Sequence, residues 1–181
     1  MNNKNTNLVL ILITVMSCLI RLLPHPANFV PMGALALTSG LYAKNKWQLL
    51  LPLGAMLATD FFIGFYDVKV MIFVYAGFLI SAFIGVLVSR NKNFATVAGG
   101  TFAGSVIFYL ATNWAVWAFS GMYAHNFRGL MSSYVMALPF FGNSLLGDFF
   151  YVGLLVGSAE LAIYAYSHST LGQLARVRNT A

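Results

Sequence analysis

Pro139-Phe140-Phe141-Gly142-Asn143-Ser144-Leu145-Leu146-Gly147-Asp148-Phe149-Phe150-Tyr151 opens the last long apolar run and carries one of only four acidic residues. An aspartate among phenylalanines and leucines is costly in hydrocarbon, so it faces the protein interior or a wet cavity. Pro139 reads as the end of what precedes it. Asn143 and Ser144 then offer side-chain oxygens to cap a new helix. On that helix Ser144, Asp148 and Tyr151 fall on one face, at steps of four and three. The expectation is that the other helices gather around this polar face. The plainer alternative is an aspartate near the membrane surface, satisfied by water or a neighbouring helix.

Outward from that stretch, composition says membrane. Sixty per cent of the 181 residues are apolar and 8% are charged. The apolar residues come in long runs, so the chain reads as a single all-α integral membrane domain over 1–181. The net charge of +6 is spread singly or in pairs between the runs. That is a pattern of membrane orientation and excludes a nucleic-acid groove. Cys18 stands alone, so no disulfide forms within the chain. The first run ends in Arg21-Leu22-Leu23-Pro24-His25-Pro26 without a small-residue cleavage site, so it reads as a retained span.

Six spans are expected, over 7–23, 29–43, 48–66, 70–89, 94–119 and 143–166. The second reaches only about 22 Å at 1.5 Å per residue and needs irregular backbone shielded by protein or a wet cavity. Residues 120–142 form the one long connection, and such a length reads as a lid or a segment on the membrane surface. With the N-terminus inside, cytoplasmic segments hold Lys4, Lys44, Lys46, Arg90, Lys92, Arg176 and Arg178. Outer segments hold Arg21, Lys69 and Arg128. That bias places both termini in the cytoplasm and the protein in the inner (plasma) membrane.

In this orientation the polar residues within spans lie mostly in the outer half. Asn28 starts the second span, Asp60 sits in the third, and Asn113 and Trp117 share a face of the fifth with Tyr109. Asn143, Ser144 and Asp148 open the sixth from the same side. This is the layout of a solute site, for which Asn28, Asp60, Asn113, Trp117, Asp148 and Tyr151 are the candidates. The aspartates and asparagines hydrogen-bond a solute, and Trp114, Trp117 and Tyr151 stack on it. Small residues at spacings of four, Gly77-Ser81-Gly85, Gly100-Gly104 and Gly153-Gly157, read as helix-packing contacts. Leu57-Ala58-Thr59-Asp60-Phe61-Phe62 echoes Leu145 to Phe150, and in a chain with 16 phenylalanines this reads as coincidence. No phosphate-binding loop is present. His25, His125 and His168 fall at or outside span ends, without ligand spacing for metal or haem. Neither a cofactor nor an enzymatic activity is expected.

Arg21 to Pro31, Thr112-Asn113-Trp114-Ala115-Val116-Trp117 and Pro139 to Tyr151 are similar to an uncharacterised family of small bacterial membrane proteins. That family resembles the substrate-binding S-components of energy-coupling-factor (ECF) vitamin transporters. The resemblance implies an S-component-like bundle that captures a vitamin-like solute and docks on a coupling membrane subunit with two ATPases. The family's Ala-x-x-x-Ala docking patch is replaced here by Thr14 and Cys18 at that spacing. The alternatives are an independent secondary transporter with Asp60 and Asp148 as proton carriers, and a membrane scaffold whose polar residues only tie helices together.

Overall fold

Apolar runs in which backbone polar groups have no water to bond leave the helix as the only open-chain solution. The computed structural model, which describes residues 3–168, is all-helical, with six α-helices and no strand among those residues. They are α1 (Asn3–Leu22), α2 (Met32–Tyr42), α3 (Leu51–Ile63), α4 (Val68–Ser89), α5 (Phe94–Phe119) and α6 (Phe127–His168). A 3-10 helix over Lys46–Leu50 precedes α3. Three helices are long and apolar enough to cross a membrane: Val68–Ser89, Phe94–Phe119 and Phe127–Leu161 of α6. Large apolar side chains such as Phe61, Phe62, Phe83, Phe102 and Leu146 stand exposed around the bundle, as lipid-facing residues do.

Local chemistry sets several ends as the sequence suggests. Asp67 caps α4, accepting from the Lys69 and Val70 amides at 2.9 and 3.1 Å. Asn93 caps α5 by accepting from the Thr96 amide at 2.9 Å. Gly64, at φ +112°, stops α3 where a side chain would be strained. The run read as 48–66 is therefore divided into the 3-10 turn and α3. The irregular backbone expected beside the second span is residues 23–31, with Asn28 in the left-handed region at φ +62°. Asn28 turns the chain and does not cap α2, whose N-cap position is Pro31.

Expectations about the last helix and about the centre of the bundle are corrected. Pro139 does not end a helix: it lies inside α6, which runs unbroken for 42 residues. A proline removes one N–H from the ladder, whereas abandoning the helix between two apolar runs would leave many backbone groups unsatisfied. The capping residue is Asn126, whose side chain accepts from the Gly129 amide at 2.8 Å. Asn143 and Ser144 sit mid-helix, and Asn143 donates to the Ala27 carbonyl at 3.0 Å. The connection expected as a lid over 120–142 shrinks to residues 120–126, because 127–142 is the first part of α6.

The second correction concerns the centre of the bundle. It is α2, with nine of its eleven residues buried; it packs on α4 above all and also touches α1, α3, α5 and α6. The crossing with α4 is backbone on backbone. A Cβ on Gly40 would lie 1.8 Å from the Ala82 carbonyl oxygen, and one on Gly85 2.1 Å from that of Leu37. Small residues permit that approach. Gly153 and Gly157, read as a packing pair, face open space instead: a Cβ on either would meet nothing within 4 Å.

Candidate functional site

All six helices contribute to one cavity of about 600 Å³. Its floor is where α2 begins. Asp148 of α6 lies against Gly33, and a Cβ there would come within 2.3 Å of Asp148 Oδ1. The Ser105 hydroxyl of α5 donates to Asp148 Oδ2 at 2.7 Å, and the same carboxylate faces the Ala34 backbone N–H. Ala34 belongs to the first turn of α2, whose amides have no partner within the helix, so Asp148 stands at the N-terminal end of α2. Ser81 and Gly104 complete the floor.

Aromatic rings make the walls. Phe78 and Phe108 lie 4.8 Å apart between centroids, and Tyr109 and Phe141 lie 4.6 Å apart. Tyr109 is held by its hydroxyl donating to the Tyr134 carbonyl at 2.7 Å. Around the mouth stand Arg21, His25, Asn28, Tyr66 and Asn113. They come from the end of the bundle that carries the α1–α2 and α3–α4 connections and the last turns of α5. The Asn113 side-chain amide donates to the Tyr109 carbonyl at 2.8 Å, which leaves its oxygen as an acceptor.

Arg21 brings a positive charge to the rim, and that charge is already matched. It donates to Asp60 Oδ1 at 2.6 Å, to the Thr59 hydroxyl and to the Met56 carbonyl at 3.4 Å. Tyr75 donates to the other Asp60 oxygen at 2.9 Å. Asp60 is 1% exposed and forms a buried ion-pair cluster joining α1, α3 and α4. A second cluster at the opposite end joins Lys92, Glu160 and Tyr42. Among the described residues no group of three or more His, Cys, Asp or Glu side chains is placed to hold a metal ion.

Of the six candidates, Asn28, Asn113 and Asp148 line the cavity, whereas Asp60, Trp117 and Tyr151 do not. Trp117 instead donates to the Ala124 carbonyl at 3.0 Å and tethers the short α5–α6 connection. Tyr151 packs against Phe29, Ala34 and Val152 in the core. The residues that sequence reasoning missed are Gly33, Ser105 and Arg21. Ser105 had a signal, since the face read as Tyr109, Asn113 and Trp117 extends one turn down to it. Arg21 had one too, because a buried aspartate requires a partner and bases within spans are few.

The model of DUF6580, a family of unknown function, matches residues 1–171. No curated protein and no solved structure matches the chain. A match over this much of the sequence establishes membership: the chain belongs to the DUF6580 family.

Proposed function

We propose that the protein is a membrane-embedded binding and uptake component for a small vitamin-like or metabolite solute, of S-component type. The observation that carries this reading is the six-helix cavity of about 600 Å³ with a half-buried carboxylate at its floor. Its size falls within the range of roughly 300–1,000 Å³ usual for ligand pockets, and it pairs apolar walls with a few convergent polar groups. In this reading all six helices cross the inner membrane with both termini cytoplasmic, and the mouth opens outward. The basic bias supports that orientation. The irregular backbone at 23–31 supports it too: His25, Asn28 and Val30 line the cavity, where non-helical backbone is tolerated at membrane depth. Delivery inward falls to a coupling membrane subunit with ATPases, and the chain itself catalyses no reaction.

The test is chemical. Protein purified in mild detergent is denatured, and the released small molecules are identified by mass spectrometry. The released compound, added back, is expected to raise the unfolding temperature of the wild type and to bind Asp148→Asn about ten- to a hundredfold more weakly. Release of lipid alone, with no thermal shift from any added solute, would overturn the reading. The rival proton-coupled carrier is left with Asp148 as its candidate group, because Asp60 is held by Arg21. Uptake by proteoliposomes of this chain alone, driven by a proton gradient, would favour that rival.

A further inference from the structure

The charge pattern of the cavity names a ligand class, an inference that rests on the solute-binding reading. Asp148 is the one acidic residue lining the cavity. Its hydrogen-bond partner is a neutral donor, the Ser105 hydroxyl at 2.7 Å. Among the described residues the one Lys or Arg lining the cavity is Arg21, and its guanidinium is committed to Asp60 at 2.6 Å and to Thr59. A carboxylate accepts at about four lone-pair sites, so one neutral donor leaves capacity for a further one. Half withdrawn from water, it is compensated best by an opposite charge. Above it stand Phe78, Phe108, Tyr109 and Phe140, whose ring faces attract cations and cover apolar surface. Gly33 keeps the approach close, since a side chain there would collide with the carboxylate.

We propose that the solute is an organic amine bearing one positive charge on an apolar or aromatic body, its ammonium seated on Asp148 at the cavity floor. An anion would meet Asp148 with no uncommitted Lys or Arg among the described residues to offset it. A neutral solute would leave the carboxylate without a counter-charge. Ser105 and Asn113 are eight residues apart on α5, about 12 Å of rise, which sets the length available from floor to rim.

The experiment compares phenylbutylamine, phenylbutanol and phenylbutyrate, which share one body and differ in head group. Binding to the purified full-length protein is measured by calorimetry and by thermal shift, at neutral pH and physiological salt. The amine is expected to bind at least about tenfold more tightly than the alcohol, and the acid more weakly than both. In Asp148→Asn the preference for the amine over the alcohol should vanish, and in Ser105→Ala it should persist. The wild-type comparison stands even if Asp148→Asn fails to fold. Equal or tighter binding of the alcohol or the acid would overturn the amine assignment while leaving a solute-binding protein. If the purified protein carries an endogenous solute, its charge decides in the same way. Binding of none of the three probes, with no small molecule released on denaturation, would overturn both readings.

Discussion

Replacing Arg21 by methionine should strand the Asp60 carboxylate and nothing else of similar consequence. Asp60 is 1% exposed and accepts from Arg21 at 2.6 Å and Tyr75 at 2.9 Å. Breaking a buried pair by removing one partner typically costs about 3–5 kcal/mol, because the remaining charge is left uncompensated. The Arg21 side chain is itself 14% exposed, at the cavity rim, so water reaches the vacated space. The lower end, about 3 kcal/mol, is therefore expected. Removing both charges with Arg21→Met and Asp60→Leu should recover most of that loss, since an apolar pair of similar volume often replaces a buried ion pair at little cost. Tyr75→Phe should cost about 1.5 kcal/mol, the low end for one hydrogen bond to a charged acceptor, since Asp60 keeps its other partner. The assay is reversible unfolding in mixed micelles, followed by tryptophan fluorescence for the singles and the double. A single variant as stable as wild type, or a double no better than Arg21→Met, would refute a coupled buried pair. Because Asp60 does not line the cavity, Asp60→Asn should lower stability more than solute affinity, the reverse of Asp148→Asn.

The remaining predictions concern packing and orientation. Gly33→Ala should abolish solute binding and lower stability by about 1–3 kcal/mol, because its Cβ must displace Asp148; Gly54→Ala, with nothing within 4 Å, serves as the control, and equal melting temperatures would refute the close contact. Gly85→Ala should be among the most damaging single changes, since the added carbon meets the Leu37 carbonyl at 2.1 Å and α2 must part from α4; normal expression and melting would show that the crossing is looser. Single cysteines in a Cys18→Ala background should react with an impermeant thiol reagent in intact cells at positions 69 and 125 and not at 46 or 92; the opposite pattern would reverse the orientation and turn the cavity mouth inward.

Much of this protein follows from local rules acting on its sequence. The ends of α5 at Phe94 and Phe119 match the apolar run and its Asn93 cap residue for residue, and α4 begins at the aspartate that caps it. Two of the three long apolar helices, α4 and α5, and the part of α6 from residue 143 were legible because a run of such residues has one way to satisfy its backbone away from water. Asn28, Asn113 and Asp148 were legible as a group because polar residues inside apolar spans are few and lay at one end. Tertiary structure decided what those rules leave open. A proline permits either a stop or a continuation, and continuous packing of α6 along α5 carries the helix through Pro139. An eleven-residue apolar helix has no preferred place until Gly40 and Gly85 let its backbone meet that of α4, which puts α2 at the centre. Two aspartates with the same Asp-Phe-Phe context took opposite roles. Asp60 met Arg21, 39 residues away, and became a structural tie; Asp148 met a neutral donor, Ser105, 43 residues away, and was left facing a cavity. A charge is matched by whatever the fold carries within a few ångströms of it, and that distance is not written in any one stretch of chain.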